Sequence, residues 1–204
     1  LASLDPNAPA PSVEAILHAL IPYRFVDHTH ADAIVAITNT PDGEARIREI
    51  YGDEVIVLPY VMPGFDLAKL CAEIFPAQST KRTIGMVLMN HGIFSFGDTA
   101  KQSYDRMIEL VGRAEDYLNR NAPLPPATGL DAAADWSALP ALRKAVSAAA
   151  GFPMLLRSKT DSAALGFARH PDVAAISQRG PATPDHVIRT KSRPFLATVT
   201  VATG

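Results

Sequence analysis

An α/β fold is the expectation for this chain, and three observations carry it. Strand-like apolar runs stand at 55–61, 84–89 and 93–96. Segments with helical spacing alternate with them, bounded by Gly and Pro. The composition can fill a core: 204 residues, 48% hydrophobic and 20% charged, enough for one domain or one domain with an appendage.

Residues 1–11 hold three prolines and read as an N-terminal loop. Ser12 is placed to cap a short helix from Val13 to about Leu20, with Glu14 in its first turn, where the helix dipole favours a carboxylate. Arg24 to Val26 reads as a strand leading into His28 and His30. Ala33 to Thr38 fits either a buried strand or a turn of helix, and Glu44 to Tyr51 fits a helix. Val55 to Val61 is strand-like, with Pro59 pushing it toward an edge or an irregular end. Asp66 should cap a helix whose Leu67, Leu70, Cys71 and Ile74 share a face. Ile84 to Met89 reads as a buried strand, and Ile93 to Phe96 resumes the extended pattern after Gly92. Asp98 or Thr99 should cap the longest helix, reaching about Asn119, with Tyr104, Met107, Ile108, Val111 and Leu118 on its apolar face. Pro123, Pro125 and Pro126 end that unit. The expected organisation is a metal-binding domain over 12–122, a linker over 123–137, and a C-terminal extension over 138–204 packed on the domain. Within the extension, Leu139 to Ala150 is helical and stopped by Gly151, Met154 to Leu156 and Phe195 to Val201 are strand candidates, and Trp136 would anchor the tail.

Several function classes drop out on composition. A formal net charge of −2 and a pI near 6.3 do not describe a duplex nucleic-acid binder or a membrane-surface protein. No apolar run approaches the roughly 18–20 residues of a membrane span, and residues 1–11 lack the basic-then-apolar order of a signal peptide. The single cysteine, Cys71, rules out an intrachain disulfide and fits a reducing compartment, so a cytoplasmic location is expected. The chain starts without methionine, which fits processing, trimming or an incompletely observed chain.

Half of the six histidines fall in two short motifs. In Asp27-His28-Thr29-His30, residues two apart on an extended segment point to the same side. Both imidazoles can then meet one ion at the ~2.0–2.1 Å of zinc ligation; the plainer alternative is a pair of surface or core histidines. A metallo-β-lactamase signature wants a further histidine where Ala33 stands, and a cupin wants a glutamate where Ala33 and Ile34 stand. In Asn90-His91-Gly92 the histidine follows an apolar strand at the rim of a sheet, and Gly92 allows close approach or positive φ; alternatively His91 is a hydrogen-bonded structural residue. Pro11-Ser12-Val13-Glu14 offers a carboxylate that is a ligand, a base or only a dipole partner worth about 0.3–1 kcal/mol. Tyr60, in Pro59-Tyr60, is a proton donor or a surface aromatic.

These four segments in this order, over roughly residues 11–120, resemble the class II aldolase/adducin family. There a Pro-Ser-x-Glu helix start, a His-x-His strand, a Pro-Tyr segment and a His-Gly turn build one site. The resemblance implies an α/β fold with a mostly antiparallel central sheet flanked by helices. It implies His28, His30 and His91 as ligands of Zn2+ or another divalent transition metal, Glu14 as the acidic residue that ligates or exchanges protons, Tyr60 as proton donor, and Ser12 and Asn90 in substrate binding. The tail Gln178 to Lys191, with Asp27 to His30, Tyr60 to Phe65 and His91 to Thr99, is similar to the aldolase domain of bifunctional rhamnulose-1-phosphate aldolase/alcohol dehydrogenase proteins. No Gly-x-Gly-x-x-Gly dehydrogenase fingerprint stands here, and only eleven residues precede Ser12 where the family places its phosphate-holding loops, so the domain's N-terminal part is expected to be missing.

The implied activity is carbon–carbon cleavage of a phosphorylated deoxy-ketose by enediolate stabilisation, with a sugar phosphate as small-molecule partner and a homo-oligomer, a tetramer in the family, as the assembly. An epimerase or dehydratase with the same metal, a non-catalytic adducin-like module and a catalytically dead metal-binding fragment are the alternatives. In the tail, His186, Arg179, Arg189 and Lys191 form either an anion-binding patch or the basic face of a proline-braced loop. Cys71 is expected to be inert, and His18 and His170 structural or exposed.

Overall fold

The computed structural model describes residues 5, 7–123, 137–159 and 161–196. The chain divides into two compact units, Leu1–Pro123 and Leu124–Gly204. In the first, the elements run α1 (Ala15–Leu20), β1 (Phe25–Thr29), α2 (Asp32–Thr38), α3 (Gly43–Tyr51), β2 (Val55–Leu58), α4 (Phe65–Gln78), β3 (Gly85–Leu88), β4 (Gly92–Gly97) and α5 (Ala100–Asn121). The strands form one sheet in the order β1-β4-β3-β2. β1–β4 and β3–β4 are antiparallel, and β2–β3 is parallel. The sheet is thus mostly antiparallel and flanked by helices, as expected. The parallel pair requires a crossover, which α4 supplies, whereas β3 and β4 are joined by the three-residue loop 89–91.

Both faces of the sheet are covered, which is why β2, β3 and β4 read as continuous apolar runs and are buried at every position. On one face Ile34, Ile37, Ile47, Tyr51 and Leu110 pack against Val55, Val57, Val87 and Ile93. On the other, Leu17, Leu67, Cys71 and Phe75 pack against Ile56, Leu58, Met86, Leu88, Phe94 and Phe96. β2 ends before Pro59 and is an edge strand, where a residue without an N–H is tolerated. Because β1, β2 and β3 run the same way and β4 runs against them, the segments after β1, β2 and β3 and the one before β4 emerge at one end of the sheet.

Of the two readings open for Ala33–Thr38, the structure takes the helix, although Ile, Val and Thr are weak helix formers; five of the seven α2 residues are buried, and that packing overrides propensity. Some other local expectations need correction. α1 begins at Ala15 rather than Val13, with Glu14 at its N-cap. Gly64, not Asp66, stands at the N-cap of α4. Thr99 caps α5 by accepting from Gln102 N at 3.1 Å. The face of α5 is rotated from the expected stripe: Ser103, Met107, Leu110, Ala114 and Tyr117 are buried, while Tyr104 and Ile108 are 61% and 56% exposed. Small residues let this helix approach the sheet, as where Ser95 Oγ donates to Ser103 O at 2.8 Å. A Cβ on Gly85 would come within 2.6 Å of the Leu110 side chain.

The second unit contains α6 (Leu139–Ala150), α7 (Ser162–Ala168), α8 (Val173–Ile176), a 3-10 turn (Ser177–Arg179) and α9 (Pro184–Arg189). Gly151, at φ 78°, ends α6 as expected. Met154 to Leu156 is not a strand: it has no ladder partner, and Leu155 is 94% exposed. Phe195 and Leu196 are likewise outside any strand; residues 197–201 of that candidate, Trp136 and the linker up to it lie outside the described residues. Among the described residues no helix is long and apolar enough to cross a membrane.

Leu110, fully buried between α5 and the sheet, tests this packing. Leu110→Ala should cost about 2–5 kcal/mol, read as a lower urea midpoint with an unchanged slope.

Candidate metal centre

Four side chains meet at the sheet end described above. His28 lies within β1, directly across from Phe94 of β4. His30 is the second residue onward, so strand alternation returns it to the same side. His91 closes the β3–β4 loop and enters β4. Glu14 descends from the start of α1, whose Leu17 is anchored in the core beneath. Its carboxylate makes no capping bond to its own helix.

Gly92 makes the approach of these strands feasible. A Cβ there would sit 2.5 Å from Thr29 O and 3.1 Å from both His28 Cε1 and His30 Cδ2. Close approach is therefore the glycine's role. Positive φ belongs instead to Asn90, at 57°, and asparagine is among the residues that enter the left-handed region most readily. Asn90 Nδ2 donates to Thr38 O at 3.2 Å and to Asn39 Oδ1 at 2.8 Å, tying the loop to the end of α2.

The ligand atoms of Glu14, His28, His30 and His91 all lie within 4.8 Å of one another. His91 Nε2 is 3.0 Å from His30 Nε2 and 2.8 Å from Glu14 Oε1, and His28 Nε2 is 3.5 Å from the same oxygen. A tetrahedral zinc ion with bonds near 2.0–2.1 Å separates its ligands by about 3.3 Å, so these spacings fit one ion. Chemistry points the same way. His28 Nδ1 donates to Ile93 O at 3.0 Å, which leaves the Nε2 lone pair facing a carboxylate. That buried Nε2, like His91 Nδ1, has no hydrogen-bond partner, a costly state for a buried polar atom. A cation between the imidazole and the carboxylate removes the conflict.

Burial favours the neutral form of two of the candidate ligands, His28 and His91. Burial pushes His28 down to about 4, outweighing the Glu14 carboxylate and the bond to Ile93, which raise it; His91 and His30 lower it further. Burial also lowers His91, against the pull of Glu14. Neutral imidazole is the ligating form. The side chains of His28 and His91 are 8% and 6% exposed, and that of Glu14 is 18%, so the cluster is sunk but reachable from the Glu14 side.

The other candidate residues are not part of this cluster. Ser12 is exposed, and its Oγ accepts from Glu14 N at 3.2 Å, holding the residue that carries the carboxylate. Tyr60 is 55% exposed, two residues past β2 at the same sheet end. β2 and β4 stand two strand spacings, roughly 10 Å, apart, and β1 one strand further. His18 lies edge-on to Phe94 at 5.3 Å. Cys71 is fully buried, and burial pushes its thiol up to about 11, as befits an inert core residue. In the second unit, His186 is exposed and paired with Thr183 Oγ1, and His170 Nδ1 accepts from Asp172 N at 3.0 Å. Sequence reasoning missed the carbonyl of Ile93 and the ring of Phe94, which holds His28 by stacking at 4.1 Å; the only signal would have been the β1–β4 register.

Comparison with known proteins matches two family descriptions: "Class II Aldolase and Adducin N-terminal domain" over residues 2–118 and "Aldolase class II, second domain" over 133–204. The uncharacterized oxidoreductase YuxG of Bacillus subtilis (strain 168) is 35% identical over 205 residues, covering 94% of this chain and 29% of its own length. The chain therefore spans less than a third of that curated relative. Among solved structures, the N-terminal class II aldolase domain of a conserved protein from Thermoplasma acidophilum is 49% identical, covers 56% of this chain and 52% of its own, and has a TM-score of 0.50. A sugar-phosphate aldolase from Thermotoga maritima is 19% identical, covers 55% of each chain and has a TM-score of 0.44. With its first 118 residues matched almost throughout and its remainder matched to the adjoining domain, this chain belongs to the class II aldolase/adducin family.

Proposed function

We propose that this chain is the metal-binding portion of a lyase that cleaves a carbon–carbon bond in a phosphorylated deoxy-ketose similar to rhamnulose 1-phosphate. The observation that supports it best is the convergence of three imidazole Nε2 atoms and one carboxylate oxygen at a reachable sheet end. A divalent transition-metal ion, zinc in this reading, supplies Lewis-acid polarisation of the ketose carbonyl, worth several kcal/mol of barrier. His28, His30 and His91 hold it and, being neutral ligands, take away none of its charge. Glu14 either completes that set or releases its oxygen to take and return a substrate proton, a contribution of about 10²–10⁴-fold for such a group.

Tyr60, at the far strand of the same sheet end, serves the oxygen of the aldehyde fragment: it delivers a proton there when the carbon–carbon bond forms and recovers it from that hydroxyl when the bond is cleaved. The Ser12 hydroxyl, whose oxygen already accepts from Glu14 N, keeps its proton to donate to a phosphate oxygen. Asn90, its Nδ2 engaged in the fold, offers its carboxamide oxygen to a substrate hydroxyl. Exposed apolar side chains, Ile16 and Leu20 on α1, Met62 ahead of α4 and Phe65 at its start, support a homo-oligomer. A non-catalytic module has no need for a partly buried His3Glu cluster.

Elemental analysis of the purified chain should find about one divalent ion per chain. His28→Ala and His91→Ala should lose it together with cleavage of a ketose phosphate panel. Glu14→Gln should keep metal affinity within about tenfold while lowering kcat by roughly 10²–10⁴-fold. Full activity in chelator, or an epimerised or dehydrated product in place of two carbonyl fragments, would remove the lyase reading. In the metal-free protein the sign of the pH dependence follows from His28. Its folded value of about 4 lies below the ordinary 6.5, so as pH falls the unfolded chain binds the proton first. Stability present above 6.5 is lost on descending toward 4; Tm in chelator should fall across that window, and His28→Gln should flatten the fall.

A further inference from the structure

Three consecutive residues of β4 touch the His28 imidazole, each in a different way. Gly92 leaves the space that the His28 Cε1 edge occupies, since a Cβ would lie 3.1 Å from it. Ile93 O accepts from His28 Nδ1 at 3.0 Å. Phe94 stacks on the ring with centroids 4.1 Å apart and planes 17° from parallel.

An imidazole has a broad, two-fold preference about Cβ–Cγ. A half-turn exchanges Nε2 for Cε1 and removes a ligand atom from the cluster. The Ile93 carbonyl opposes that half-turn, because only the observed orientation gives Nδ1–H an acceptor. It does not fix the tilt of the plane, which a single hydrogen bond leaves loose. A flat ring against a flat ring does, and Phe94 is itself enclosed: 0% exposed and met edge-on by His18 at 5.3 Å.

We infer that Phe94 is a positioning residue of the metal centre, setting by stacking the plane in which His28 presents Nε2 while the Ile93 carbonyl sets which nitrogen is presented. The inference rests on the reading of the cluster as a metal centre. Its chemical content is that removing the flat face, with the core still filled, loosens one ligand out of the set.

Phe96 provides a matched control. It is 0% exposed in the same core layer and contacts Tyr23 and Phe75 rather than a histidine. Zn2+ affinity by chelator competition and the visible absorption of the Co2+-loaded protein would be measured on the full chain, with Tm recorded for each variant. Phe94→Leu should weaken affinity about 10- to 100-fold, the range for lost outer-shell support, and shift the Co2+ bands. Phe96→Leu should lose comparable Tm yet keep affinity within about twofold and leave the bands unchanged. Phe94→Met, which fills gaps flexibly, should follow Phe94→Leu if that variant proves too unstable to assay. Equal losses in the Phe94 and Phe96 variants, or wild-type affinity and bands in the Phe94 variants, would overturn the inference. A wild-type chain that binds neither ion would overturn the metal-centre reading, and this inference with it.

Discussion

The antiparallel pairing of β1 with β4 is the constraint on which the site depends. It brings together two segments more than sixty residues apart in the chain, one ending in His28-Thr29-His30 and the other beginning at His91. The pairing at the ligand end is tighter than a residue with a side chain permits, because Gly92 faces the Thr29 carbonyl and two imidazole edges. Further along, the same ladder sets Phe94 opposite His28. Ladder register, close approach and ligand orientation are thus one set of interactions.

Burial gives this arrangement its chemical character. Four polar groups gathered at a largely desolvated sheet end would normally be neutralised by protons or by hydrogen bonds. Here desolvation holds His28 and His91 in the neutral form, and the carboxylate of Glu14 shares its Oε1 between two of the rings. Lone pairs and negative charge converge, which is electrostatically unfavourable alone and favourable around a divalent cation. The same desolvation that suits the cluster to a metal makes it sensitive to acid when chelator withholds the ion.

The helices act as supports for this centre. α1 is only six residues long and would not persist in isolation; its Leu17 is held in the core with residues of α4, and this holds Glu14 over the histidines. α2 is tied through Thr38 and Asn39 to the side chain of Asn90, which braces the loop carrying His91. Tyr60 reaches the same end of the sheet only because β2 is parallel to β3, a consequence of the α4 crossover.

Features that depend on near neighbours in the chain were readable from the sequence. The His-x-His alternation, the glycine beside His91, the threonine cap of α5 and the glycine stop of α6 follow from local geometry. The candidate ligands were legible only through the resemblance of the four motifs, in their order, to the family's site. Features that depend on what packs opposite were not. The segment Ala33–Thr38 became helix because its surroundings bury it nearly all round, and α5 turned its small residues, not its largest apolar ones, to the sheet. Asn90 rather than Gly92 took the left-handed backbone, and Phe94 became the platform for His28 through cross-strand register alone. Sequence by itself determined which chemical groups this protein has to offer, because residue type and short-range periodicity are local. Only the tertiary structure decided which of those groups share a few ångströms of space and how dry that space is, because register and helix rotation are set by long-range packing.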